Sequence, residues 1–223
     1  MRPASPPAGA MRRATRALRR PGFRGLRERC RLGARGALAA EFALVVPVVA
    51  LMAFGTVDLV LFMRAQVKVE GTAVQVGQAV SQCRQISTPD IAEFWRVAQT
   101  ALSGVADVSA SGPGTVIITA VNSNAAGNNR VAWQSRSNSR ATSAIGSSGA
   151  ATLPAGYVVP GGQLMIVTEV YAPVRPWFLS AVLMNTGVLP QTLGATSLYL
   201  SRTPDPAAVT AGPAAGDAMA CMG

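Results

Sequence analysis

The chain has 223 residues, 49% of them apolar and only 13% charged, with 20 basic and 10 acidic side chains and no histidine. The net charge of +10 is concentrated: eleven arginines, from Arg2 to Arg35, stand before residue 37 against one acid, Glu28, and the remaining 187 residues are neutral. A nucleic-acid-binding domain carries its basic face on the part that folds, so no nucleic-acid partner is expected here. Without histidine there is no Ser–His or Cys–His catalysis and no HExxH zinc site. The single lysine, Lys68, lies between Val67 and Val69, outside any phosphate-binding loop. No pair among the acids beyond residue 57 is placed for acid–base work. The expectation is a protein that is not an enzyme and needs no cofactor or metal.

Residues 1–36 read as a basic leader. Its plainest reading is an arm held near anionic lipid. Directly after it, Phe42 to Val57 runs sixteen residues without a charge, and Leu59 to Met63 continue the run beyond Asp58. At 1.5 Å per residue, 22 helical residues span about 33 Å, enough for the hydrocarbon core of a bilayer. A membrane helix over residues 37–63 is therefore expected, with the lipid bilayer as a partner. Five arginines in residues 22–41 against Arg64 and Lys68 in residues 64–83 put the N-terminus in the cytoplasm. A secretory signal peptide fits less well, because the run is too long and Phe62-Met63-Arg64 offers no small-residue cleavage site.

The junction Arg35-Gly36-Ala37-Leu38-Ala39-Ala40-Glu41-Phe42 places a glycine at the end of the leader and a lone carboxylate just before the apolar run. It resembles the type IV prepilin processing site. That resemblance implies cleavage after Gly36 by prepilin peptidase, a mature chain starting at Ala37, and Glu41 as the charge that pairs with the new ammonium or with a neighbouring subunit. The alternative is that Gly36 is a glycine at the start of a helix and Glu41 an interfacial acid. The longer stretch from Gly36 through Glu41-Phe-Ala-Leu and Pro47 to Gly55-Thr-Val-Asp58 resembles the TadE-like family, pilin-like components of bacterial tight-adherence (Flp) pilus systems. The stretch Thr196-Ser-Leu-Tyr-Leu-Ser-Arg202 is similar to that family's closing strand.

The resemblance implies a minor pseudopilin-like structural component of Flp/type IVb pilus assembly in the bacterial inner membrane. Its partners would be prepilin peptidase, other pilin-like subunits and inner-membrane pilus assembly proteins, with the C-terminal domain periplasmic. The other reading is an uncleaved single-pass protein whose periplasmic domain is a binding or scaffold module.

Pro47 removes one helical hydrogen bond and is expected to kink the membrane helix. Val69, Ala73, Val76, Val80 and Cys83 form one apolar stripe, so residues 64–86 read as a continuation of that helix, to about Gln85, packed under a head. Ser87 or Thr88, Pro89 and Asp90 open a second helix, with Ile91, Phe94, Trp95, Ala98 and Leu102 on its inner face and Gly104 at its end. Thr115–Val121, Arg130–Gln134, Leu164–Tyr171 and Ser197–Ser201 read as strands, whereas residues 122–129 and 135–163 read as long exposed loops. The periplasmic domain is thus expected over 87–202, with 203–223 a loose tail. The fold class is α+β: one N-terminal transmembrane helix extended into a long pilin-like helix and packed by a small antiparallel sheet.

Trp177-Phe178 fit either core or the membrane surface. Asp107-Val-Ser-Ala-Ser111 matches the Asp-x-Ser-x-Ser element of metal-dependent adhesion sites, but Ser111-Gly-Pro-Gly114 denies it the helix such sites need, so no metal is expected. Cys30 would leave with the leader. Cys83 and Cys221 would meet an oxidising compartment, either as a disulfide that pins the tail to the long helix or as separate thiols.

Overall fold

The structure is a computed structural model and describes residues 24–175, 180–202, 212–216 and 218–221. The chain divides into two units, Met1–Ala50 and Leu51–Gly223. Helix α1, Arg24–Gln82, contributes to both. It begins before Gly36, inside what reads as leader, and is assigned without interruption through Pro47. Pro47 has no N–H to donate, so the Ala43 carbonyl lacks its usual helical partner. The helix therefore runs across the boundary read between residues 36 and 37; a single glycine weakens a helix by only about 1 kcal/mol.

In the second unit α1 is the floor on which the sheet is laid. Val69, Ala73, Val76, Val80 and Cys83, the stripe at helical spacing, are all buried. Glu70, Gln75, Gln78 and Gln82 on the other faces are exposed. Helix α2, Thr88–Ala101, opens with a capping box: Ser87 caps the Asp90 N–H while the Asp90 carboxylate accepts from the Ser87 N–H at 2.8 Å. Ile91, Phe94, Ala98 and Leu102 are buried and Trp95 is half-buried against them. The helix stops at Ala101, and Gly104 takes the left-handed backbone three residues later at φ 78°.

The strands are β1 Thr115–Ser123, β2 Asn129–Arg136, β3 Gly149–Ala150, β4 Leu164–Pro173 and β5 Thr192–Leu200. They form one sheet in the order β3-β2-β1-β4-β5, with every pairing antiparallel. The central strands β1 and β4 are buried on both faces, which is why they read as unbroken β-branched runs. One face, with Val116, Ile118, Ala120, Leu164, Ile166 and Val170, packs on α1 and α2. At the closest approach Gly77 leaves no room for a side chain: a Cβ there would lie 2.6 Å from Ser197 Oγ and 3.0 Å from Tyr199 Cδ2. Ser197 Oγ instead donates to the Ala73 carbonyl at 2.6 Å.

The opposite face corrects the reading of 135–163 as exposed loop. Ile145, Leu153 and Val159 from that segment are buried against Val121, Met165 and Val167. The segment also contributes β3 and a 3₁₀ turn, Pro154–Gly156. It is pinned by Glu169, a fully buried carboxylate on β4. Glu169 accepts from the Ser143 hydroxyl, from the Ala144 N–H at 2.8 Å and from the Tyr171 hydroxyl at 2.8 Å. Burial, then the bond to Glu169 and its negative charge, push the Tyr171 phenol up to about 12.

The expected loose tail is tied down over its described residues. Thr88 N–H donates to the Ala214 carbonyl at 3.0 Å and Ala214 N–H to the Ile86 carbonyl at 2.8 Å. Cys221 is joined to Cys83 by a disulfide, across a sequence separation of 138. A short helix, α3, covers Ser180–Asn185. Trp177 and Phe178 lie outside the described residues.

Candidate functional site

The site is the surface that α1 leaves uncovered. From Phe42 to Met63 most of its large apolar side chains, among them Phe42, Leu44, Val49, Met52, Leu59 and Met63, are exposed, while Phe62 is half-buried against the core. Among the described residues, Ala39–Gln82 is the one helix long and apolar enough to cross a membrane, and only 6% of its most apolar window is buried. A soluble core helix of that composition would be covered. This points to a single-pass membrane protein.

Two acids interrupt the apolar surface, and the structure treats them differently. Glu41 is exposed, and among the described residues no hydrogen bond or ion pair is made to it. Asp58 is buried, and its Oδ2 accepts the Ser180 N–H at 2.7 Å. Gly36 and Ala37 both lie within α1, and nothing stands within 4 Å of where a Gly36 side chain would begin. The junction is thus helical, with open space at the Gly36 Cβ position. Pro47 sits on the same exposed surface. The Cys83–Cys221 disulfide lies away from this surface, with Cys83 in the core of the sheet unit.

Asp107 is engaged in local structure. Asp107 Oδ1 accepts the Ser109 N–H at 2.9 Å, and its backbone carbonyl accepts from Gly114 at 2.8 Å. The Ser109 N–H and then its hydroxyl hold the Asp107 carboxyl below the usual range. No three histidine, cysteine, aspartate or glutamate side chains cluster as metal ligands among the described residues.

The cradle around Asp58 escaped the sequence reading. Asp58 marks the outer end of the apolar run in sequence, but its partner Ser180 lies 122 residues away, and no local pattern joins them. The acid itself was the signal, since a carboxylate in an otherwise apolar span needs a partner.

No curated protein and no solved structure matches the chain. A family model described as TadE-like protein does match, over residues 36–78. The match begins at Gly36 and takes in Glu41, Pro47, Asp58 and the buried stripe as far as Val76. It supports a part in tight-adherence pilus assembly in general, and the stretch from Gly36 to Gln78 is similar to TadE-like proteins.

Proposed function

We propose that the protein is a minor pseudopilin-like structural component of tight-adherence (Flp/type IVb) pilus assembly, without chemistry of its own. Prepilin peptidase removes the leader after Gly36. The mature chain stays in, or leaves from, the inner membrane with its sheet unit in the periplasm. One observation carries the reading: a TadE-like helix presents an exposed apolar surface bearing one exposed carboxylate, Glu41, while its C-terminal part is sealed under the sheet. Such a surface is available only for lipid and for lateral packing with other helices.

Cleavage would change what Glu41 does. In the uncut chain it stands mid-helix. Once Ala37 is the terminus, Glu41 lies near the first turn, where a carboxylate complements the helix dipole and an ammonium four residues away. The helical glycine also favours opening at Gly36, since glycine is about 1 kcal/mol poorer than alanine in a helix. The uncleaved, scaffold-like reading has one observation in its favour, the continuity of α1 through the junction from Arg24.

The test is Glu41→Gln in a piliated host lacking the wild-type gene. Membrane insertion should be unchanged. Surface pili should fall at least about tenfold, the equivalent of losing roughly 1.4 kcal/mol per subunit contact. Normal piliation with the variant would contradict the assigned role.

A further inference from the structure

The contact at Asp58 fixes more than one side chain. By accepting the Ser180 N–H at 2.7 Å, the carboxylate holds the start of α3 beside α1 within its apolar run, five residues before Met63. From there α3 turns Met184 inward and leaves Val182 and Leu183 exposed, and Val188 just beyond it is exposed as well. These apolar side chains have no cover in the sheet unit.

Next to this contact is a cavity of about 380 Å³. Phe62, Val105 and Val174 give it an apolar wall, and Arg64, Lys68 and Arg175 are the cations that line it. Arg64 and Lys68 are about one helical turn apart, immediately after the last apolar residue of the run, Met63. Lys68 Nζ donates to the Ser103 carbonyl at 2.8 Å, which holds the ammonium at the cavity with donors to spare. Against three cations stands one acid, Asp58, already accepting from Ser180.

We propose that this cavity binds the phosphate-bearing headgroup of an anionic phospholipid. Arg64, Lys68 and Arg175 take the phosphate, Phe62 and Val174 take the first carbons of the acyl chains, and the exposed side chains of α3 lie in the membrane surface beside them. Three features select this occupant: the excess of positive charge, an apolar wall continuous with an exposed apolar helix, and a position at the polar end of the run, where headgroups lie. A free anion would use the cations and leave the apolar wall wet. The proposal rests on the membrane reading of residues 42–63.

The test uses the full-length chain in vesicles of equal phosphatidylcholine and phosphatidylglycerol, with retained lipid counted by native mass spectrometry after gentle extraction. Phosphatidylglycerol should be retained in preference. The preference should drop by about fivefold for each cation neutralised in the Arg64→Gln, Lys68→Gln, Arg175→Gln series, while Arg64→Lys keeps it. Equal retention of both lipids, or an undiminished preference in the triple variant, would overturn the site. Displacement of the lipid by an equal concentration of inorganic phosphate would also overturn it, in favour of a free anion. Alkaline carbonate separates the two levels. A chain stripped from the vesicles overturns the membrane reading together with the site, whereas a chain that stays in without lipid preference overturns the site alone.

Discussion

Asp90 shows how much one side chain can hold. Its Oδ2 accepts from the Ser87 N–H at 2.8 Å, the Ser87 hydroxyl at 2.7 Å, the Ala220 N–H at 2.9 Å and the Cys221 N–H at 3.1 Å. It caps α2 and anchors the C-terminal segment at once. Burial alone would raise its carboxyl pKa, but the bonds from Ser87 and then from Ala220 and Cys221 outweigh that and lower it below 3.8. A carboxylate with a depressed folded value stabilises the fold above its unfolded value, and that contribution is lost as pH falls through the folded one. Acid should therefore loosen the tail and the start of α2 together, below the unfolded value of 3.8. Asp90→Asn should lower the unfolding free energy of the sheet unit at neutral pH by about 2 kcal/mol. It should also flatten the acid limb of the stability curve, as read by denaturant titration at several pH values. The capping role was legible from Ser87-Thr-Pro-Asp90. The second role was not, because its donors come 130 and 131 residues later.

At the scale of elements, the seam between α1 and the sheet depends on Gly77. A side chain there meets Ser197, Tyr199 and Thr168 at 3.2 Å or less, so the strands would have to lift from the helix or shift along it. Gly77→Ala should cost about 1–3 kcal/mol, although alanine is the better helix former. Gly71→Ala, with nothing within 4 Å, should be neutral or slightly stabilising. Thermal melts of the two variants read the difference directly. Elements with a strong period or an unbroken apolar run were visible in the sequence: the α1 stripe, the face of α2, and the doubly buried strands β1 and β4. Those without a period were not. Ile145 and Leu153 are single apolar residues eight apart, and Val159 ends the short run Tyr157-Val158-Val159; this matches neither the helical nor the strand repeat, yet the three build the second core. Strand β5 runs from Thr192 rather than from about Ser197. Its first half contains Gly194 and Ala195, poor strand formers, and is held by pairing with β4.

For the molecule as a whole, the Cys83–Cys221 bridge closes the end of the chain onto the core helix. Loss of a native bridge typically costs about 2–5 kcal/mol. Reduction, or Cys221→Ser, should therefore lower the melting temperature of the sheet unit. It should also expose the C-terminal segment to limited proteolysis while the sheet stays folded, as mass analysis of the fragments would show. The charge distribution belongs to this scale too. The +10 of the whole chain is the +10 of its first 36 residues, so removal of the leader leaves a neutral protein. On its exposed apolar helix Glu41 then stands alone. The TadE-like segment and the α+β architecture were legible because membrane length, charge asymmetry and helical spacing all lie within short windows. The hydrogen bonds that anchor the tail and the Asp58–Ser180 contact were hidden because they join residues more than a hundred positions apart, whereas the Cys83–Cys221 bridge was one of two readings the cysteines offered. The central claim is that this leader is removed, and N-terminal sequencing of membrane-extracted protein made with and without prepilin peptidase tests it most directly. A chain beginning at Ala37 only when the peptidase is present is the predicted result; an intact leader in both preparations would contradict it.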